Sequence, residues 1–233
     1  WNLEVMNKMK NIILVFICAI FIASCASTQT KIDAYPAMYD ERQPVSILVI
    51  PAINQSTAAE ASDYFNVTIT EPLSNTGYYT MPVEIVRDIF LKEGIVDSAM
   101  VKGIPTTVFK NNFGADAVLF VTIKSWDKNY AVFAGNVEVS LEYVMLSTDT
   151  NEVVWSYSST VVLDTTAQSS GFIIADLIST AISTAVADYV PLAKQANYQA
   201  FVGLPHGKYS DRHSLDGADQ ILTDLKEAAL AED

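Results

Sequence analysis

The run Ala117-Val118-Leu119-Phe120-Val121-Thr122-Ile123 constrains this chain most. It is apolar at nearly every position and rich in β-branched residues, which suits a strand. A strand shows alternate residues to opposite sides, so a run apolar throughout must be covered on both faces. The chain therefore needs a sheet with this strand at its centre and other elements packed above and below.

The neighbouring segments supply those elements. Val45 to Ile50 is a second apolar run, ended by Pro51, and reads as a buried strand. Asn54-Gln55-Ser56-Thr57 offers capping residues for a helix whose apolar positions are Ala61, Tyr64, Phe65, Thr68, Ile69 and Leu73. That three-four spacing gives one buried face. Asn75-Thr76-Gly77 breaks the pattern, and Tyr78 to Met81 suits a short strand. Pro82 stands where a helix begins, with Val83, Val86, Ile89 and Phe90 inward and Gly94 as the stop. Pro105 opens a shorter helix through Asn112, closed by Gly114.

Beyond the central run, Val137, Val139, Leu141, Tyr143 and Met145 alternate with Glu138, Ser140 and Glu142. After the turn-rich stretch Ser147 to Asn151, Val153, Trp155, Tyr157, Ser159 and Val161 alternate with more polar neighbours. This is a hairpin with one wetter face. Phe172 to Val190 reads as a third major helix, a further helical stretch follows Pro191 to about Phe201, and Ala218 to Leu230 suits a short terminal helix. The order implies a mixed α/β fold: one sheet, crossover helices between the early strands, a hairpin between the late ones.

The N-terminus has a different character. Lys8 and Lys10 precede an apolar run from Asn11 to Ile22, followed by Ala23, Ser24 and Cys25. Basic, apolar and small-residue regions in that order form a secretory signal peptide. A run of about a dozen residues is shorter than the roughly 20 that span a bilayer. Ile22-Ala23-Ser24-Cys25 matches the bacterial lipobox, so cleavage is expected between Ser24 and Cys25, with lipid on Cys25. An ordinary signal peptide ending near a cysteine, or an uncleaved anchor, are the plainer alternatives. Trp1 to Val5 do not fit the pattern, and Met6 or Met9 suits a start better. The expected organisation is a signal over 1–24, a lipidated tether over 25–43, an α/β domain over 44–203 and a polar tail with a short helix over 204–233.

Charge narrows the partners. The chain carries 27 acidic and 14 basic residues; Lys8, Lys10 and Glu4 precede the cut, leaving 12 basic against 26 acidic and a net of −14. Such a surface argues against nucleic acid, which needs phosphate-neutralising cations, and against electrostatic attachment to anionic lipid. Cys18 leaves with the signal and Cys25 is lipidated, so no disulfide is expected.

Chemistry is scarce. His206 and His213 stand seven apart in a polar segment, which is not a metal-ligand spacing. There is no phosphate-cradling glycine loop and no Gly-x-Ser-x-Gly elbow. Glu138 and Glu142 should face water, and Asp116 should cap a strand start or turn. No enzyme, cofactor or metal is expected. Two candidate partner surfaces stand out: the hairpin aromatics Tyr143, Trp155 and Tyr157, and Ile174 and Ile178 in the small-residue helix. Core packing is the commoner fate of both.

Four segments together carry a resemblance: Ile47-Leu48-Val49-Ile50-Pro51-Ala52-Ile53-Asn54, Phe113 to Ile123, Glu152-Val153-Val154-Trp155 and Leu204-Pro205-His206-Gly207-Lys208-Tyr209. In this order, behind a lipobox, they resemble a bacterial lipoprotein family catalogued as a domain of unknown function, DUF-799. The resemblance covers most of residues 25 to 212. It implies a fold like the N-terminal domain of TolB and the periplasmic domain of the curli secretion lipoprotein. It also implies an accessory or assembly role in envelope transport or secretion, with other envelope lipoproteins or secretion components as partners. A homo-oligomer stays open. Ala26 is not acidic, which in such lipoproteins points to the outer membrane, with the domain facing the periplasm. Two alternatives remain: a subunit of a self-assembling export pore, for which 128–163 is the candidate stretch, and a carrier of a small apolar ligand held between helix and sheet.

Overall fold

The computed structural model describes residues 29–131, 134–164 and 190–221. The expected signal and Cys25, the helix expected over Phe172–Val190 except its last residue, and most of the expected terminal helix lie outside them.

One mixed sheet organises the chain. Its strands are β1 (Ser46–Val49), β2 (Ile53–Asn54), β3 (Tyr79–Thr80), β4 (Ala117–Ala131), β5 (Ala134–Ser147) and β6 (Val153–Asp164). They run in the order β3-β1-β4-β5-β6, with β2 pairing onto β4. β1 is parallel to both β3 and β4, while β4, β5 and β6 are antiparallel in sequence. The apolar run forms the first half of β4, at the centre, as its two-sided apolarity requires.

The helices are α1 (Lys31–Ala34), α2 (Ala61–Asn75), α3 (Val83–Lys92), α4 (Thr107–Phe113) and α5 (Val190–Val202). Pro82 caps α3, and Gly94 (φ 78°) follows its end. Gly114 closes α4 at φ 69°, where a side chain would be strained. The capping expectation for α2 shifts. Asn54 and Ser56 instead close a local turn, with the Ser56 N–H donating to Asn54 Oδ1 at 2.9 Å, and α2 starts later without a side-chain cap.

Two cores result. On one face of the sheet Ile47, Leu119, Val121, Leu141, Tyr143 and Trp155 meet Phe65, Ile69 and Leu73 of α2 and Ala193, Ala196 and Ala200 of α5. The three alanines leave α5 a flat surface against its neighbours. On the other face Leu48, Ile50, Val118 and Phe120 meet Val86 and Phe90 of α3 and Phe109 of α4. A register shift between Ile123 and Ser125 makes Lys124 the extra residue of a β-bulge. It moves the alternation by one, so that Trp126 joins the face of Ile123 and packs edge-on against Phe65 at 5.6 Å.

A buried polar relay fixes α5 against both α2 and the sheet. The Tyr143 hydroxyl donates to Asn197 Oδ1 at 2.8 Å, Asn197 Nδ2 donates to Thr68 Oγ1 at 3.1 Å, and Thr68 Oγ1 donates to the Tyr64 carbonyl at 2.7 Å. Pro72, inside α2, has no N–H to offer the turn before it, so the Thr68 side chain works close to a helix missing one bond.

Residues 29–43, read from sequence as part of a tether, are folded onto this body. So is the start of the polar tail. Thr30 pairs with Gln220 in an antiparallel bridge, Lys31 N–H donates to Asp219 O, and Ile32 N–H donates to Gly217 O. Residues 218–221 are therefore in turn and bridge rather than in a helix.

Candidate functional site

The hairpin aromatics do not form a surface. Tyr143 is 0% exposed and Trp155 1% exposed, which corrects the expectation of a partner site there. Only Tyr157 is half-buried. The physical reason is α5: its Phe201 lies 5.7 Å from the Tyr143 ring and 5.9 Å from Trp155, while Tyr35 covers Trp155 from another side at 6.5 Å. Trp155 and Tyr157 stack at 6.3 Å. Alternation in the sequence places these rings on one face, but does not say whether a helix covers it. The Trp155 indole N–H has no hydrogen-bond partner among the described residues. Ile174 and Ile178, like Ser24 and Cys25, lie outside the described residues.

The structure instead gathers a cluster that no sequence pattern announced. Lys31 Nζ lies 3.1 Å from Asp216 Oδ2, and the two side chains are 4% and 0% exposed. Lys31 also donates to the Leu204 carbonyl at 3.1 Å. Asp216 Oδ2 accepts from the His206 backbone N–H at 3.0 Å, and Oδ1 accepts from the Tyr39 hydroxyl at 3.1 Å. Burial alone would raise the Asp216 carboxyl, but the bonds from Lys31, His206 N–H and Tyr39 outweigh it and hold it below the ordinary 3.8. Burial, with the Asp216 charge beside it, pushes the Tyr39 hydroxyl up from its ordinary value, which keeps it a donor. These contacts join the start of the described residues to their end. Lys31 and Asp216 are 185 positions apart in segments without apolar period, so no local signal pairs them.

Beside this cluster a cleft of about 470 Å³ opens between the C-terminal ends of α2 and α5 and the terminal segments. Its polar lining includes Lys31, His206, Arg212 and Asp219, and Pro72, Phe201 and Val202 form its apolar wall. Arg212 Nη2 reaches Asp219 Oδ2 at 2.7 Å. Burial pulls the His206 ring below its ordinary 6.5 despite the nearby Asp216. Ser210 Oγ is 2.9 Å from its Nδ1.

The remaining polar candidates have structural explanations. Asp116 Oδ2 accepts from Val45 N–H, Ser46 N–H and Ser46 Oγ at 3.1, 3.0 and 2.9 Å, capping the start of β1. Glu142 pairs with Lys124 at 2.9 Å on the wetter face, and that hydrogen bond lowers its carboxyl from the ordinary value. Among the described residues no group of three or more His, Cys, Asp or Glu side chains is placed to hold a metal ion. Among them, too, no helix is long and apolar enough to cross a membrane.

A family model described as "Putative lipoprotein GNA1162-like" matches residues 34–204, nearly the whole described domain. The chain belongs to the GNA1162-like lipoprotein family. The lipoprotein NMB1124/NMB1162 of Neisseria meningitidis serogroup B is 26% identical over 153 residues, 66% of this chain and 71% of that protein. The crystal structure of lipoprotein GNA1162 from Neisseria meningitidis aligns with a TM-score of 0.51 at 25% identity, covering 60% of this chain and 94% of that one. The resemblance expected from the four sequence segments thus falls in a lipoprotein family, and the mixed sheet with packed helices is the fold shared with GNA1162. A PelC dodecamer from Paraburkholderia phytofirmans aligns at a TM-score of 0.42, 12% identity, covering 69% of this chain and 88% of that one. At that score the likeness carries no statement about this chain.

Proposed function

We propose that the protein is a lipid-anchored envelope component without enzymatic activity, held on the outer membrane through Cys25, with its α/β domain facing the periplasm and acting through contacts with other envelope proteins. The observation that carries this is the lipobox Ile22-Ala23-Ser24-Cys25 in a chain whose domain belongs to a lipoprotein family. A bacterial anchor carries several acyl chains, each buried methylene contributing about 0.8 kcal/mol, so attachment is stable without a spanning helix.

With Tyr143 and Trp155 in the core, contact falls to other groups. On α3 the inner stripe is Val83, Val86 and Phe90; Ile89, expected from its spacing to face inward, is instead 39% exposed and stands one turn from Ile85 (58% exposed) on the outside. An exposed isoleucine pair on an amphipathic helix suits a protein partner better than water. Growth with a clickable fatty acid, followed by in-cell crosslinking and mass spectrometry, tests both halves. Label on the wild type but not on Cys25→Ser, together with crosslinked envelope proteins that Ile85→Glu weakens, is the expected result. Unlabelled wild type, or recovery of monomer alone, contradicts it.

A further inference from the structure

The cleft beside Lys31 lies where the anchored end of the chain joins the domain. Cys25 and Gln29 are four residues apart, and an extended chain advances at most about 3.6 Å per residue, so Cys25 lies within about 14 Å of Gln29, the first described residue. This bound holds for any conformation between them. Granting the proposed lipidation of Cys25, the bridge between Thr30 and Gln220 stays close to the bilayer surface, and the cleft it borders is within reach of that surface.

Three features of the cleft say what it meets there. First, an ammonium has three donors, and Lys31 uses two, on Leu204 O and Asp216 Oδ2; among the described residues the third has no partner. Lys31 is buried and lines the cleft, so an acceptor seated there can take the third donor. Second, the lining carries both signs in paired form, Lys31 held by Asp216 and Arg212 by Asp219, while the chain's net charge is strongly negative. A purely anionic headgroup is disfavoured; a headgroup with both charges is not. Third, Pro72, Phe201 and Val202 make an apolar wall, and the volume falls within the range usual for small-ligand sites.

We propose that this cleft takes the headgroup of a zwitterionic phospholipid of the anchoring bilayer. The phosphate accepts from Lys31, with Arg212 beside it. The amine lies toward Asp219, and the glycerol end lies along Phe201 and Val202. Lipid seated there fixes the orientation of the domain on the membrane, leaving α3 and the sheet for other contacts.

The test uses the full-length protein in phosphatidylethanolamine vesicles doped with a phosphatidylethanolamine whose diazirine sits beside the headgroup. After illumination, label should concentrate on peptides spanning 198–220 and be sparse over 83–101. Val202→Glu and Arg212→Gln change exposed side chains and leave the fold intact; each should cut cleft labelling by about tenfold, a loss of roughly 1.4 kcal/mol in binding. Lys31→Met should do the same wherever its melting curve shows a folded domain. Even labelling along the domain, or unchanged labelling in Val202→Glu, overturns the proposal. Loss of labelling on adding excess inorganic phosphate would mean a free-phosphate site and would also overturn it. The same digest yields the Cys25 peptide. An acylated peptide with an unlabelled cleft refutes the lipid site alone, whereas an unacylated peptide refutes the anchor and the lipid site together.

Discussion

Lys31 and Asp216 form a buried ion pair at 3.1 Å between the first and last described segments of the chain. Two charges out of water are tolerable here because each has further partners: Leu204 O for the ammonium, Tyr39 and the His206 N–H for the carboxylate. Removing one partner strands the other. Asp216→Asn or Lys31→Met should therefore cost about 3–5 kcal/mol, against less for a well-packed apolar pair at both positions. Urea unfolding of the single and double variants checks this; a single-variant loss below about 1 kcal/mol would show that the pair is not buried in solution.

Acid should loosen the same junction. Asp216 titrates below its ordinary 3.8 when folded, so its contribution is complete above that value and is lost as pH falls through the folded value. His206, lowered by burial, adds in the same direction, since protonation from its ordinary 6.5 downward favours the unfolded chain. Melting temperature should fall as pH drops below 6.5, with a further loss below 3.8 that Asp216→Asn removes. A variant and wild type with parallel profiles below 3.8 would contradict this.

The relay from Tyr143 through Asn197 to Thr68 should behave as one unit. Tyr143→Phe leaves Asn197 Oδ1 without its donor, and Asn197→Leu leaves the Tyr143 hydroxyl buried without an acceptor. Each should cost about 1–3 kcal/mol, and the double variant clearly less than the sum. Strict additivity in denaturant unfolding would mean that the three groups do not communicate.

Gly77 and Gly207 mark the close approach of the C-terminal segment to the end of α2. The Gly207 N–H donates to Thr76 O at 2.8 Å. A Cβ on Gly77, at φ 92°, would stand 2.5 Å from Ser210 N, and one on Gly207 would stand 2.5 Å from Gly77 O. Backbone is met in both cases and cannot rotate away. Gly77→Ala should cost at least the roughly 1–3 kcal/mol of a strained backbone conformation. Gly114→Ala, at φ 69° but with open space around its Cβ, isolates the backbone part of that cost. Equal losses at Gly77 and Gly114 would remove the steric role assigned to the junction.

Most of the fold was legible because it is local and periodic. The two-sided run Ala117 to Ile123 demanded a central strand, and Pro82, Gly94 and Gly114 set helix ends where φ is fixed or freed. The misplacement of Tyr143 and Trp155 has the opposite origin. Period two places them on one face, but the lid that buries them, α5, follows β6 by 25 residues, and its alanines look unremarkable in sequence. Lys31 and Asp216 were invisible for the same reason, carried further: each sits among polar neighbours, and they are buried where residues 30–32 meet residues 216–220. The cleft they border inherits that invisibility.

Membrane association of Cys25→Ser decides the central claim. Wild type and variant are expressed at matched levels, membranes are washed at high salt, and the protein is quantified in membrane and soluble fractions. The wild type should remain with the membranes, and the variant should leave them while keeping the melting temperature of the wild-type domain. A folded Cys25→Ser protein that stays on washed membranes as fully as the wild type would contradict the anchor.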